Sequence, residues 1–329
     1  MPRLLVAGKL HPSGVALLKD YESRGVEVDY VEEVSEASYE HLISEADALI
    51  IRTQPLSAAT IAKAKKLKVV SRHGVGYDSV DLQALNARGI GLTIVGDVNS
   101  ISVAEHAITQ MLAAAKRTML ADRSVRQIGE WGWRNGLEQQ EISRKNLLIL
   151  GYGRIGRHLA RMASGFEMRV KAFDPYLEKA GWPEGAVTPV SLEEGLVWAD
   201  FISVHTPRGD RPILGAKEFS LMKPGVIIAN TARGGVVCER ALAEALTSGH
   251  VGAAGVDVFD EEPPSKRIPL FSHQNVVLSP HIAGLTAECG ERMAIASINN
   301  AMDFLSGTVD PTLVVNRECL EPTKQQVLG

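Results

Sequence analysis

Three glycines stand at a spacing suited to binding phosphate groups. They follow the apolar run 146–151 and precede a segment whose apolar residues recur at helical spacing. In a strand-to-helix turn of this kind, the first glycine permits the tight turn and the second lets a pyrophosphate approach the backbone. The third lets the helix pack closely on the strand, and the N–H groups at the helix start attract the phosphates. Such a triplet also occurs in ordinary turns. The predicted phosphate-binding residues are Gly151, Gly153, Arg154, Ile155 and Gly156.

An acidic residue after the next strand supports a dinucleotide site. The apolar strand 168–173 ends in Asp174, which follows Gly156 by 18 positions. A carboxylate there would accept hydrogen bonds from both ribose hydroxyls of the adenosine and would repel a 2′-phosphate. The structural alternative is that Asp174-Pro175 only ends the strand. Strand, glycines, helix and acid in this order predict NAD in preference to NADP, and the absence of a following Lys-Ser or Lys-Thr argues against an NTP-binding loop.

An arginine, a glutamate and a histidine follow three later strands. Arg233 comes after strand 226–230, Glu262 after strand 253–258 and His281 after strand 276–279. Ligands of open α/β sheets bind outside the carboxyl ends of the strands, so these side chains can converge there. A histidine moves a proton on an oxygen, a neighbouring carboxylate favours its charged form, and arginine supplies a bidentate cation. Taken singly, each residue could instead be a surface arginine, a satisfied histidine or a loop acid.

Two α/β domains are predicted to position these residues. Residues 1–99 alternate short apolar runs with helical patterns, and strands begin again near 147, 169, 201, 226, 253 and 276. This alternation predicts two doubly wound parallel sheets. The predicted domains are 1–99 with 286–329, and 100–285. The apolar runs of the first domain are Leu4 to Ala7, Val26 to Val31, Ala48 to Ile51, Val69 to Ser71 and Ile90 to Val95.

Other segments connect or extend these domains. Ser102 and Glu105 form a capping-box pattern before a long amphipathic helix. Residues 120–145, which contain Trp131 and Trp133, are predicted to form an arm that packs on a second subunit. Residues 286–305 are predicted to be helical and 309–316 extended.

Composition and charge limit the function classes. The 329 residues are 45% hydrophobic, enough for two cores, and the net charge of −4 gives no basic surface for nucleic acid. The three cysteines form no CxxC pair, which favours reduced thiols over a disulfide frame or a zinc site. No 18-residue apolar segment and no signal peptide are recognisable. The expectation is a soluble cytoplasmic protein without metal.

Further motifs stand in order along nearly the whole chain, on both sides of the dinucleotide turn. They are 72–78, 99–105, 205–207, 230–235, 255–263 and 279–284. Together with the turn, they resemble those of the D-isomer-specific 2-hydroxyacid dehydrogenases, a family that includes phosphoglycerate dehydrogenases and hydroxypyruvate reductases. The resemblance implies a flavodoxin-like substrate domain, a Rossmann cofactor domain, and an active site in the cleft between them.

The resemblance implies a role for each matched residue. Arg233 would hold the substrate carboxylate and carbonyl, His281 would be the acid/base, and Glu262 would be its partner. The backbone of Gly74, Val75 and Gly76 would bind the substrate carboxylate. Cofactor contacts would come from His205, Thr206, Pro207, Thr231, Ala232 and Asp257.

Substrate identity stays open at this level. Arg52 and Arg72 could meet a second anionic group, or they could form salt bridges at strand ends. The run Arg52-Thr53-Gln54-Pro55 lacks the second arginine of many phosphoglycerate enzymes, which counts against phosphate. The favoured hypothesis is a homodimeric NAD-dependent dehydrogenase of a small anionic 2-hydroxy acid. The alternatives are a formate or phosphite dehydrogenase, although formate enzymes place glutamine at Glu262, and an NADH-sensing corepressor.

Overall fold

The computed structural model describes residues 1–127, 130–185, 187–265 and 267–320. The chain divides into two compact units. The first comprises Met1–Asn99 with the residues from Leu285 onward, and the second comprises Ser100–Gly284. Residues 128–129 of the predicted arm and 321–329 of the predicted first domain lie outside the described residues.

The first unit contains a five-stranded parallel sheet in the order β2-β1-β3-β4-β5, the flavodoxin-like order that the sequence predicts. Its strands are β1 (Arg3–Ala7), β2 (Glu27–Val31), β3 (Ala48–Ile51), β4 (Val69–Arg72) and β5 (Gly91–Thr93). Its helices are α1 (Pro12–Ser23), α2 (Ala58–Lys63), α3 (Leu82–Ala87) and α11 (Ala287–Ser306).

The central strands of this sheet are buried on both faces because successive side chains alternate between them. Leu4 and Val6 pack with Ile298 of α11, while Leu5 and Ile51 pack on the opposite face. A strand covered on both faces needs apolar residues at every position, which is why these runs were recognisable in the sequence.

The second unit contains a seven-stranded parallel sheet in the order β12-β11-β10-β9-β6-β7-β8, a Rossmann order with one added strand. Its strands are β6 (Asn146–Leu150), β7 (Arg169–Phe173), β8 (Thr188–Pro189), β9 (Phe201–Val204), β10 (Val226–Asn230), β11 (Val251–Val256) and β12 (Val276–Leu278). Its helices are α4 (Ser100–Ala115), α5 (Thr118–Arg126), α6 (Arg154–Gly165), α7 (Pro175–Ala180), α8 (Leu192–Trp198), α9 (Ala216–Leu221) and α10 (Glu239–Thr247).

Helices cover both faces of this second sheet. Leu147 and Ile149 of β6 pack with α4 and α6, whereas Leu148 and Leu150 pack on the face covered by α8, α9 and α10. Helix α4 lies very close to β11, since a Cβ built on Gly255 would be 2.5 Å from Cβ of Gln110. This approach places one face of α4 beside the strands that carry the later motifs.

Several local predictions were wrong. Helix α4 begins at Ser100, so Ser102 lies inside the first turn, buried, instead of capping it. The segment 309–316 forms a 3-10 turn at Pro311–Leu313 and a single antiparallel bridge, because Asp310 caps that turn. The two-residue strand β8 was missed because it contains Pro189 and lies at the sheet edge.

The predicted arm consists of α5 and a 3-10 segment, Trp131–Gly136. Several of its apolar side chains are exposed, with 64% of Trp131 and 66% of Val125 open to solvent. Large exposed apolar patches often mark interaction surfaces. Packing of the arm on a second subunit stays a prediction.

The close approach of α4 to β11 predicts that Gly255→Ala destabilises the protein. The added methyl group would force Gln110 or the whole helix to move, and overpacking of this kind costs about 1–3 kcal/mol in the free energy of unfolding. Urea unfolding followed by circular dichroism measures the change. Gly165→Ala is the matched control, because a Cβ there meets nothing within 4 Å. An unchanged urea midpoint for Gly255→Ala would contradict the packing described.

Candidate functional site

The glycine turn between β6 and α6 has the geometry of a phosphate-binding loop. Gly151 has φ +95°, and a Cβ on Gly156 would lie 2.3 Å from the carbonyl oxygen of Gly151, so both positions require glycine. A Cβ on Gly153 would meet nothing, so the backbone there is open to a ligand. Gly153 caps α6 without a side chain, which leaves the N–H groups at the helix start available for an anion. Arg154 is exposed at the start of α6, and Ile155 is partly buried.

The glycine turn lies where the strand order of the second sheet reverses, between β6 and β9. His205 N–H donates to Leu150 O at 2.7 Å, so the loops after these two strands are adjacent. Reversal points of this kind are where open α/β sheets bind their ligands.

Buried polar atoms near this point fit a bound cofactor. The Oγ1 atoms of Thr206 and Thr231 are buried without a hydrogen-bond partner among the described residues. Because such atoms are costly to bury unpaired, a ligand that hydrogen-bonds with them would stabilise the site. His205 Nε2 contacts Ser203 Oγ at 2.8 Å, and burial lowers the pKa of His205 to about 3, so its ring is neutral. Pro207 beside them is exposed.

Asp174 is oriented by the backbone around it. Its Oδ2 accepts from Tyr152 N–H in the glycine turn at 2.8 Å, and its Oδ1 accepts from Tyr176 and Leu177 N–H at the start of α7. Asp174 therefore ends β7 and caps α7, which agrees with the structural alternative that Asp174-Pro175 ends the strand. The same bonds hold the carboxylate beside the glycine turn, where an adenosine ribose would lie.

The loops after β10 and β11 are in direct contact. Asn230 shapes the first loop, since its Oδ1 accepts from Ala232 N–H and its Nδ2 donates to Arg233 O, both at 3.1 Å. A Cβ on Gly234 would lie 1.8 Å from Phe259 O, so glycine is required where the loops meet. Gly235 N–H then donates to Asp260 Oδ1 at 2.6 Å. Arg233 is thus carried on a loop fixed against the loop that leads to Glu262.

Glu262 and His281 form the hydrogen-bonded pair that the sequence predicts. His281 Nδ1 lies 2.7 Å from Glu262 Oε2, and Glu262 Oε1 accepts from Phe259 N–H at 3.0 Å. Burial by itself raises the pKa of Glu262, but the hydrogen bonds from His281 and Phe259 outweigh it and lower the pKa. With Nδ1–H donated to the carboxylate, Nε2 is the nitrogen that can exchange a proton with a ligand.

Asp257, which the resemblance implies to face the nicotinamide, has a fully buried carboxylate. That cofactor contact stays a prediction, and the contacts within the chain show a structural role. Its main-chain oxygen accepts from His281 N–H at 2.7 Å, its Oδ1 from Ile282 N–H at 2.9 Å and its Oδ2 from Ala283 N–H at 2.9 Å. A buried carboxylate requires such donors. Asp257 therefore holds the backbone that carries His281.

The first unit carries the remaining predicted residues at the carboxyl edge of its sheet. Ile51 pairs with Arg72, so Arg52 and His73 follow on adjacent strands. Arg52 donates to Lys9 O at 2.9 Å and Arg72 to His73 O at 2.7 Å. Burial, helped by the positive charges of Arg52 and Arg72, lowers the pKa of His73 to about 4, so its ring is neutral.

The turn after β4 has the backbone geometry of a small anion site. Gly74 has φ +148°, and its carbonyl oxygen accepts from Val95 N–H at 3.2 Å. The N–H groups of Val75 and Gly76 have no acceptor among the described residues. A carboxylate could accept from both.

Sequence reasoning missed His106, Gln110 and Ser279. Ser279 Oγ lies 2.9 Å from His106 Nε2 and 3.0 Å from Gln110 Nε2, and it donates to Asp257 Oδ1. The detectable signal was the spacing of His106 and Gln110, which are four apart and so lie on one face of a helix. That face could not be connected to residue 279 without the fold.

Neither a metal centre nor a membrane span was found. Within residues 1–127, 130–185, 187–265 and 267–320, no group of three His, Cys, Asp or Glu side chains could hold a metal ion. Over the same part of the chain, no helix has the length and apolar character needed to cross a bilayer.

Comparison with known proteins gives consistent matches. Residues 108–283 match the model described as "D-isomer specific 2-hydroxyacid dehydrogenase, NAD binding domain". The chain is 40% identical over 318 residues to D-3-phosphoglycerate dehydrogenase of Mycobacterium tuberculosis, covering 95% of this chain but only 59% of that relative's length. It is 36% identical over 332 residues to glyoxylate reductase of Aeropyrum pernix, with 97% of each chain covered.

A solved structure agrees along nearly the whole chain. The TT0316 protein of Thermus thermophilus superposes with a TM-score of 0.85 at 33% identity, covering 95% of this chain and 99% of that one.

The buried Asp257 predicts a pH-dependent loss of stability in Asp257→Asn. Ile282 and Ala283 N–H donate to different oxygens of the carboxylate, and an amide has only one oxygen. One donor therefore loses its acceptor, so the free energy of unfolding at neutral pH should fall by about 1–3 kcal/mol. Burial alone raises the pKa of Asp257, but its contacts with His106 and Ser279 lower it further than burial raises it. A lowered folded-state pKa contributes stability above the unfolded-state pKa, and this contribution is lost as pH falls through the folded value.

The difference between wild type and Asp257→Asn should therefore shrink as pH falls below about 4. Urea unfolding at several pH values measures it, with exposed Asp210→Asn as the control. A difference that is constant or grows on acidification would show that the ionised carboxylate is not what stabilises the loop.

Proposed function

Because this chain belongs to the D-isomer specific 2-hydroxyacid dehydrogenase family, we propose that it transfers a hydride between NAD(H) and a small anionic 2-hydroxy acid or its 2-keto acid. The observation that carries the proposal is the bond between His281 Nδ1 and Glu262 Oε2. It leaves Nε2 of an exposed imidazole for proton exchange, in a unit that also carries a phosphate-type glycine turn.

The proposed cofactor residues surround the reversal point of the second sheet. The pyrophosphate would accept from the N–H groups at Gly153 and the start of α6, and Asp174 would select NAD through the ribose hydroxyls. Thr206 and Thr231 would pair their buried hydroxyls with the bound cofactor. Bound NAD would accept the hydride in oxidation, and bound NADH would donate it in reduction.

The protein's own residues would move the proton and hold the substrate. In reduction, His281 Nε2 would give its proton to the substrate oxygen, and in oxidation it would take the proton back. Glu262 keeps Nδ1–H bonded, which fixes the ring and stabilises the imidazolium form. Arg233 would neutralise the substrate carboxylate and the charge that develops on the reacting oxygen. The N–H groups of Val75 and Gly76 would donate to a carboxylate of the substrate.

We further propose that the substrate carries a second anionic group. Arg52 and Arg72 place two guanidinium groups at one sheet edge, where both act on the neutral ring of His73. Guanidinium groups bind carboxylate, phosphate and sulfonate oxygens in a bidentate manner. The run Arg52-Thr53-Gln54-Pro55 lacks the second arginine of many phosphoglycerate enzymes, which favours a carboxylate or sulfonate over phosphate.

The test is NADH consumption with two classes of 2-keto acid. Sulfopyruvate, 2-ketoglutarate and phosphohydroxypyruvate carry a second anionic group, whereas glyoxylate and hydroxypyruvate do not. Arg52→Gln should raise the KM of the first class by about tenfold, the value of one charged hydrogen bond, and leave the second class little changed. Arg24→Gln, exposed at the end of α1, is the control. Equal effects on both classes would remove Arg52 from substrate recognition, and activity with neither class would reject the dehydrogenase.

The proton relay makes a directional prediction for Glu262→Gln. The amide nearly preserves shape but removes the negative charge beside the ring, so a positive charge on His281 loses the attraction of its partner. The rate of reduction should therefore begin to decline at lower pH in the variant, and oxidation, which needs the neutral ring, should extend to lower pH. The measurement is kcat/KM against pH in both directions, with a deuteride isotope effect to confirm that chemistry limits the rate.

Two further variants serve as controls for this result. His281→Ala should lose about a hundredfold to ten-thousandfold in both directions, the usual value of a positioned acid/base. Glu261→Gln, exposed next to Glu262, should leave both profiles in place. If the Glu262→Gln profiles superimpose on those of wild type, or shift to higher pH, Glu262 does not control the charge state of His281.

A further inference from the structure

A chain of hydrogen bonds connects α4 to the backbone of the proposed acid/base. His106 Nε2 lies 2.9 Å from Ser279 Oγ, and Ser279 Oγ donates to Asp257 Oδ1 at 2.5 Å. Asp257 then accepts from the N–H groups of His281, Ile282 and Ala283.

The direction of each bond follows from chemistry. A carboxylate can only accept, so the single hydroxyl proton of Ser279 is donated to Asp257. The lone pairs of Ser279 Oγ must then accept from Gln110 Nε2–H and His106 Nε2–H. His106 therefore carries a proton on Nε2, and it also lies 3.5 Å from Asp257 Oδ1.

The end of this chain is a backbone that needs external support. His281 has φ +52°, in the left-handed region that is unfavourable for a residue with a Cβ. Such conformations persist where surrounding bonds over-determine them. Here the supporting group is Asp257, and its own orientation depends on Ser279 and His106.

We propose that His106 is a positioning residue, which acts through Ser279 and Asp257 to fix the left-handed turn that holds His281. This role rests on the proposed function, since it describes how that acid/base is aimed. It would not require His106 to touch substrate or cofactor. Gln110, 2% exposed, would supply the second donor that keeps Ser279 Oγ oriented.

The first test is hydrogen exchange at the three supported amides. His106→Leu removes the donor to Ser279 Oγ, whereas His106→Gln places an amide N–H near the former Nε2. Exchange at the amides of residues 281–283 should quicken by about fivefold in His106→Leu, as for the loss of one hydrogen bond, and return toward wild type in His106→Gln. Thr109→Ala on the same helix is the control, because Thr109 Oγ1 donates to Glu105 O within that helix and has no other bond in the described part of the chain.

The second test is steady-state kinetics of the same variants with NADH and a reducible keto acid. His106→Leu should lower kcat by about tenfold to hundredfold through misplacement of His281, with little change in the KM for NADH. His106→Gln should recover most of kcat. Ser279→Ala should lower kcat in the same way, and Ser279→Thr, which keeps the hydroxyl, should retain most of it. A residue that only stabilised α4 would instead lower the urea midpoint and raise exchange along α4.

The outcomes separate the two proposals. Faster exchange at residues 281–283 that glutamine reverses supports the role of His106 even if no keto acid is reduced, in which case the dehydrogenase function alone fails. Unchanged exchange in His106→Leu, or faster exchange that glutamine does not reverse, overturns the positioning role. If His106→Leu does not fold, the Ser279→Ala and Ser279→Thr pair decides by the same two measurements.

Discussion

The candidate acid/base depends on one buried carboxylate. His281 has a backbone conformation that costs about 1–2 kcal/mol, and Asp257 has a charge that could not be buried unpaired. The same contacts stabilise both. The N–H groups of Ile282 and Ala283 donate to the Asp257 carboxylate, and His281 N–H donates to the main-chain oxygen of Asp257. The imidazole of His281 is directed out of this turn toward Glu262.

Parallel strands bring the rest of the site to the same edge. Glu262 and His281 are 19 positions apart, yet adjacent strands β11 and β12 end side by side. The loop with Arg233 joins them because Gly234 has no side chain where it meets Phe259 O. At the reversal point itself, the turn at Gly151 contacts the loop at His205. Groups suited to phosphate binding and groups suited to proton transfer thus share one sheet edge.

Burial distinguishes His281 from His73 and His205. Burial lowers the pKa of His205 to about 3 and that of His73 to about 4, so both rings are neutral at physiological pH. The side chain of His281 is 49% exposed and hydrogen-bonded to a carboxylate. Proton exchange requires a ring that a ligand can reach, and of these three His281 has the exposed ring.

The sequence by itself determined the two sheets, the glycine turn and the pairing of Glu262 with His281. Strands buried on both faces need continuous apolar runs, and a tight strand-to-helix turn needs glycine, so both leave local signals. Only the tertiary structure decided that Asp257 supports the backbone and that His106 reaches Ser279, 173 positions away. Those contacts depend on where α4 packs against β11 and β12, and packing between elements distant in sequence leaves no periodic pattern in either one.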